Sequence, residues 1–169
     1  MAAERTSASP PAGATDTTDG SSVTIAPMGG GDVDQVLDIE HMSSRSPWAR
    51  AVFVEELTRD FAHVDVLRDA GGAVVAFVNY WLVRDEVHIL NVATHRGARR
   101  RGHGSRLLAH VIAFARSASC RYLTLEVRRS NDGALRLYRQ HGFRPVGVRP
   151  GYYAEDREDA IVMLLELPA

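Results

Sequence analysis

The sequence predicts a mixed α/β fold of one domain, in the order β-α-α-β-β-β-α-β-α-β-β. Three observations carry this. Short β-branched runs of period two alternate with stretches whose apolar residues recur at helical spacing. The chain has 169 residues, enough to bury a sizeable core. Its 45% hydrophobic and 24% charged content is typical of a soluble globular domain. The domain is expected over residues 23–168, with no internal repeat.

The elements follow in order. Residues 1–22 are rich in Ala, Ser, Thr, Pro and Gly and read as a disordered tail. Val23–Pro27 is a short strand. Asp32 is placed to cap a helix through Val33, Val36, Leu37 and Ile39. Ser46-Pro47 predicts a second helix start, with Ser as N-cap and Pro at the first helical position. Val64–Arg68, Ala73–Val83 and Glu86–Ala93 read as strands, joined by turns at Asp69–Gly72 and Arg84-Asp85. Ser105–Ser117 is a helix with Leu107, Leu108, Val111, Ile112 and Ala115 as its buried stripe. Tyr122–Val127 is a strand, and Asp132–His141 is a helix stopped by Gly142. Phe143–Val148 and Ala160–Leu167 are strands, separated by a polar loop over Pro150–Glu158.

Composition excludes several classes. The net charge of -1 gives no overall attraction to nucleic acid. All 20 basic residues are Arg, and there is no Lys. Cys120, the single cysteine, cannot form an internal disulfide and reads as a small buried residue. The seven His residues do not pair at metal-ligand spacing, so no metal is expected. No run reaches the ~18 apolar residues of a membrane span. The N-terminal stretch lacks a secretory apolar region, so a cytoplasmic protein is expected.

The chemistry-bearing segment lies between the third and fourth of the longer strands. Arg99-Arg100-Arg101-Gly102-His103-Gly104 follows a strand and opens a helix, with Arg96 and Arg106 beside it. Glycines admit close backbone approach, and N–H groups at a helix start favour an anion. The loop thus reads as a pyrophosphate cradle. It is neither a Walker P-loop, since no G-K-[ST] follows, nor a Rossmann fingerprint, since the third glycine fails at Leu107. A basic turn on a solvated helix start is the bland reading. An RNA patch is the competing one, against which stands the lack of interleaved aromatic residues.

Two further residues are singled out. Glu126 shares a strand face with Tyr122 and Thr124, opposite Leu123, Leu125 and Val127. From the strand alone it reads equally as a surface residue of an edge strand or as a general base. Asn131, Leu135 and Tyr138 fall at i, i+4 and i+7 of a helix, so Tyr138 is either packing or a proton donor.

Taken together, well-separated segments resemble the GNAT acetyltransferases, and among them the ribosomal-protein-alanine N-acetyltransferases of the RimI type. They are S-P-W at Ser46–Trp48, L-N-V-A at Leu90–Ala93, R-R-R-G-H-G at Arg99–Gly104, L-E-V-R-x-S-N at Leu125–Asn131, A-L-x-L-Y at Ala134–Tyr138, G-F at Gly142-Phe143 and Y-Y…R-E-D-A-I-V-M at Tyr152–Met163. The resemblance covers about Val23 to Leu167. It implies a GNAT-like fold and transfer of acetyl from acetyl-CoA to a protein N-terminus, with a ribosomal protein as acceptor and no metal.

It also implies roles. Glu126 would be the general base and Tyr138 the general acid. Val92, Ala93 and Thr94 would pair with the pantetheine arm. Arg99, Arg100, Arg101, Gly102, His103, Gly104 and Ser105 would hold the pyrophosphate, and Asn131 would contact the coenzyme. Trp48, Tyr152 and Tyr153 would border the peptide groove. Departures are Arg99 where relatives often have Gln, His103 at a usually apolar position, and Pro150-Gly151 before the tyrosine pair. Two other functions stay open at this point: acetylation of a small amine or a lysine, and a non-enzymatic module binding nucleotide or RNA. No membrane and no direct nucleic-acid partner are expected.

Overall fold

A computed structural model describes residues 22–169. The tail expected over residues 1–22 lies outside the described residues except for Ser22. The elements are β1 (Thr24–Pro27), α1 (Val33–Ser43), α2 (Arg50–Glu56), β2 (Ala62–Arg68), β3 (Val74–Val83), β4 (Glu86–Thr94), α3 (His103–Ser117), β5 (Tyr122–Arg128), α4 (Asp132–Gln140), β6 (Arg144–Tyr153) and β7 (Glu158–Glu166). Short 3-10 turns lie at Gly30–Asp32 and Arg96–Ala98. The order of strands and helices is the expected one.

Three local expectations need correction. The second helix starts at Arg50 behind an Ala49 N-cap, not at Ser46-Pro47. Ser46–Trp48 stays outside it because its backbone is held elsewhere: Ser46 N–H donates to Ser44 Oγ, and Trp48 N–H to Glu40. Asp32 does precede α1, but its side chain does not cap it. A 3-10 turn intervenes, so Asp32 instead accepts from Gly29 N–H at 2.9 Å and from Arg68 at 2.6 Å. Finally, Pro150–Tyr153 belongs to β6 rather than to a loop, and β7 already begins at Glu158. Pairing shifts between Arg149 and Tyr153, and β6 is an outer strand, where a proline costs no ladder bond.

The described residues form one seven-stranded sheet in the order β1-β2-β3-β4-β5-β7-β6. Only β4 and β5 pair in parallel, and α3 makes the crossover that a parallel pair requires. Helix α3 lays Leu107, Leu108, Val111 and Ala115 on one face, against Val78, Val87, Ile89 and Leu123. On the other face Val36 and Ile39 of α1 and Phe53 of α2 pack on Val66 and Phe77. Cys120 is buried in the first of these clusters, and burial pushes its thiol above its ordinary range. Among the described residues, no helix is long and apolar enough to cross a membrane.

One polar node ties α3 to the sheet. The buried Asp65 carboxylate of β2 accepts from the Tyr80 hydroxyl of β3 at 2.7 Å and bonds His110 Nε2 of α3 at 2.8 Å. Burial, then the adjacent carboxylate, holds the Tyr80 phenol far above its ordinary range, so it stays a donor. Removing that donor leaves a buried carboxylate short of one partner. Tyr80→Phe is therefore expected to lower stability by about 1–3 kcal/mol, read as a lower urea midpoint with an unchanged slope.

Candidate active site

The site begins where two strands part. Parallel pairing of β4 with β5 runs from Glu86↔Tyr122 to Ile89↔Leu125 and then stops. On the other side of β4, Tyr80 pairs with Ile89 but Asn79 with Asn91, which leaves Leu90 as a bulge residue. The bulge breaks the period of two: Val87 and Ile89 join the α3-side cluster, and so does Val92 three residues on. Asn91 and Ala93 are thereby turned to the α1 side. The gap opens into a cavity of about 780 Å³ that both strands, α1, α4 and the β6–β7 turn help to line.

Glu126 sits in this gap, on a strand flanked by β4 and β7 and not at an edge. Its side chain is only 13% exposed, which rules out the surface reading. His88 Nε2 of β4 lies 2.7 Å from Oε2, and Arg149 of β6 approaches Oε1 at 3.6 Å. The bond from His88 is the main reason the carboxyl lies below its usual range, since burial pulls it the other way and Arg149 adds less. Glu126 is therefore ionised at neutral pH and joined to an imidazole that can relay a proton.

Tyr138 of α4 lines the same cavity, 8% exposed, with its ring edge-on to Phe143 at 5.9 Å. Burial, with Tyr153 nearby, pushes its phenol up to about 12, so it is a protonated donor at neutral pH. Asn131 lines the cavity as the N-cap of α4, its Oδ1 accepting from Ala134 N–H at 3.1 Å. It precedes the helix, so it is placed by capping and not by a shared helix face with Tyr138.

The outer wall is aromatic and charged. Arg128 stacks over the Tyr153 ring at 3.9 Å and bonds Asp156 at 3.0 Å and Glu155 in the turn before β7. Asp156 also bonds Arg45 at 2.6 Å, which joins this turn to the segment after α1. Tyr152 packs edge-on to Tyr153 at 5.2 Å beneath Arg149. Trp48 lines the cavity from the α1–α2 segment and rests on Phe53 at 5.5 Å.

The basic loop lies at the start of α3 and outside this lining. Arg100 and Gly102 take positive φ of 63° and 78°, which turns the chain sharply into the helix. Gly102 provides no side-chain cap, so the first N–H groups of α3 keep their full affinity for an anion. A Cβ on Gly104 would stand 3.3 Å from Leu137 of α4, so a glycine lets the two helices meet there. Ser105 Oγ bonds His141 Nε2 at 2.8 Å across the same contact. Arg99 reaches the Thr94 carbonyl at 3.3 Å. His103 is 7% exposed, with Nδ1 buried and unbonded among the described residues. Its imidazole is held below its usual range by burial, then by Arg106 and Arg101.

The fold thus gathers Glu126, Tyr138, Asn131, Val92, Trp48, Tyr152 and Tyr153 around one cavity. Sequence reasoning missed His88, Arg149 and Glu40. A signal for His88 existed: Glu86 and His88 alternate on β4 as Thr124 and Glu126 do on β5, and both pairs bond across the strands. Nothing in the sequence signals Arg149, which depends on how β6 lies over β7. Among the described residues no group of three His, Cys, Asp or Glu side chains is arranged to hold a metal ion.

Comparison with known proteins identifies the family. Residues 33–143 match the family described as the Acetyltransferase (GNAT) family. The chain is 35% identical over 133 residues to a protein of Bacillus subtilis (strain 168) named putative [ribosomal protein bS18]-alanine N-acetyltransferase, covering 78% of this chain and 87% of that one. It is 34% identical over 156 residues to the N-alpha-acetyltransferase RimI of Mycobacterium tuberculosis (strain ATCC 25618 / H37Rv), covering 87% and 94%. Among solved structures, the ribosomal-protein-S18-alanine N-acetyltransferase of Escherichia coli superposes with a TM-score of 0.80 at 31% identity, covering 87% and 95%. The chain therefore belongs to the GNAT family and is an N-acetyltransferase.

Proposed function

We propose that this protein transfers acetyl from acetyl-CoA to the α-amine of a protein N-terminus, the N-terminal alanine of a small-subunit ribosomal protein. The observation that carries this is the pairing of an ionised, His-bonded Glu126 with a protonated Tyr138 across one cavity. The named acceptor of the Bacillus subtilis and Escherichia coli relatives supports the choice of substrate.

The residues present fit acetyl-CoA. From Leu90 onward β4 has no partner on its β5 side, so its main chain is open to an amide-bearing arm such as pantetheine. The uncapped start of α3 suits a pyrophosphate, with the main chain of Arg100–Ser105 and the guanidinium groups around it. Asn131, at the start of α4 and lining the cavity, would contact the coenzyme. The thioester supplies the activated acyl carbon. No metal takes part in this reading.

Acyl transfer to an ammonium group needs a base, oxyanion donors and an acid for the leaving thiolate. Glu126, directly or through water and with His88 as relay, takes the proton from the α-ammonium. A main-chain N–H near Val92 and Ala93 faces the developing oxyanion. The amine nitrogen bonds the acyl carbon, and as the C–S bond breaks Tyr138 gives its proton to the departing thiolate and is reprotonated by the second proton lost from that nitrogen. The products are an acetylated N-terminus and free coenzyme. An α-amine with pKa ~8 is roughly one-tenth neutral at pH 7, against about one lysine in 2,500, so a carboxylate of low basicity suffices only for the former. Trp48, Tyr152 and Tyr153 border the acceptor groove. Ribosomal proteins are made in the cytoplasm, the compartment this reading requires.

The decisive assay mixes the protein, acetyl-CoA and a peptide beginning Ala-Arg-Tyr-Phe, with thiol release and peptide mass as readouts. An acetyl mass gain at the α-amine, absent from an N-blocked peptide, is expected; thiol release with small amines only would overturn the acceptor. Glu126→Gln and Tyr138→Phe are each expected to lower kcat by about 10²–10⁴-fold, with acetyl-CoA affinity measured by calorimetry nearly unchanged. Full activity in either variant would remove that residue from the mechanism.

The pH profile provides a separate check. Glu126 titrates below the usual carboxylate range and Tyr138 near 12. Neither limits the rate between pH 6 and about 9. Activity is expected to rise with pH along the acceptor amine's own titration. A peptide with a more acidic α-amine should move the curve to lower pH by the same amount.

A further inference from the structure

Glu40 is a buried carboxylate at the cavity that this mechanism does not use. It lies in the last turn of α1, 1% exposed, beside an otherwise apolar cluster. A carboxylate there is costly, and among the described residues no cation forms a salt bridge with it. Its partners are two neutral donors. Oε1 accepts from the main-chain N–H of Trp48 at 3.3 Å, and Oε2 from Nδ2 of Asn91 at 2.5 Å. Both residues line the cavity: Trp48 from the segment between α1 and α2, Asn91 from β4 just past the bulge residue Leu90.

The contacts are selective. Asn79 lies directly across from Asn91 in the β3–β4 register, fully buried, with neither amide atom hydrogen-bonded among the described residues. Asn91 nevertheless gives its Nδ2 to Glu40 and not to that neighbouring amide. The side chain of Asn91, turned towards α1 by the bulge, is thus tied to α1. The same carboxylate keeps Trp48 out of α2, whose first turn lies only two residues further on.

We propose that Glu40 is a positioning residue that locks the acceptor wall at Trp48 to the bulged segment of β4, so that the acceptor is seated in a fixed place against the open strand. This rests on the reading of the site as a peptide α-amine acetyltransferase. Glu40 touches neither coenzyme nor the reacting atoms in this account. Its effect falls on how the acceptor is held, while the start of α3, on the other side of the sheet, is left as it is.

The test compares Glu40→Gln, Asn91→Asp and the double variant E40Q/N91D by steady-state kinetics with the alanine-starting peptide and by calorimetry with acetyl-CoA. In Glu40→Gln one amide Nε2 faces a donor, so one of the two bonds is lost. In the double variant Gln Nε2 can donate to the Asp carboxylate while Gln Oε1 still accepts from Trp48. The expected result is a peptide KM raised about tenfold in Glu40→Gln, the size of one charge-assisted bond, with acetyl-CoA affinity within about twofold of the parent. The double variant should recover most of that loss although each single variant is impaired. An unchanged KM in Glu40→Gln, a loss of acetyl-CoA affinity equal to the loss in KM, or no recovery in the double variant would each overturn the proposal. Should Glu40→Gln fail to fold, Asn91→Ser removes the same bond from the β4 side and must show the same KM rise. Failure of the parent protein to acetylate any peptide would remove the acceptor wall's occupant, and would be seen before any variant is compared.

Discussion

The parting of β4 from β5 after Ile89 and Leu125 is the constraint on which the site depends. Parallel strands that stay paired bury their main chain in the ladder. Here β4 pairs with β3 along one side and is open along the other, which leaves N–H and C=O groups aimed into the gap. The bulge at Leu90 makes the opening asymmetric. It sends Val92 to the α3-side core and Asn91 to α1, so one short stretch of β4 serves both halves of the cavity. Everything else in the site is arranged around this gap: a carboxylate from β5, a phenol from α4 and a helix start from the crossover.

The acidic groups at this gap are stabilised in different ways, and the difference sorts their roles. Glu126 is bonded to an imidazole and approached by a guanidinium, which keeps it ionised in a half-buried setting. Glu40 has only neutral donors, and burial raises it above the ordinary carboxylate range. Asp156 and Glu155 are exposed to solvent to some degree and neutralised by Arg128 and Arg45. A chain whose basic residues are all arginine suits this wall, because a guanidinium can stack flat on Tyr153 and bond two carboxylates at its edge. An ammonium group in the place of Arg128 would make one of these contacts at the expense of the others.

The helix start uses glycine where a side chain would obstruct. Gly102 adopts a left-handed conformation that L residues rarely take, and it leaves the first turn of α3 uncapped. Gly104 allows α4 to approach, which brings the helix carrying Tyr138 against the helix that faces the anion. The start of α3 and the helix carrying Tyr138 are therefore joined at one close helix contact, reinforced by the Ser105–His141 bond.

The sequence by itself determined the order of elements and the buried stripe of α3, and it marked out the glycine-arginine loop and two residues, Glu126 and Tyr138, whose types suit acyl transfer. These are local properties: period, turn chemistry and motif spacing are written in consecutive residues. Its errors were local as well, at the start of α2 and at β6, where contacts from Glu40 and from β7 overrode the propensities of Pro47 and Pro150. What only the tertiary structure decided is which side chains meet. His88 and Glu126 are separated by 38 positions, and Glu40 and Asn91 by 51. Whether Glu126 stands at an edge or in the middle of the sheet depends on β7 inserting between β5 and β6, a pairing made by residues more than thirty positions away. Such meetings follow from strand order and a one-residue bulge, and no stretch of consecutive residues encodes them.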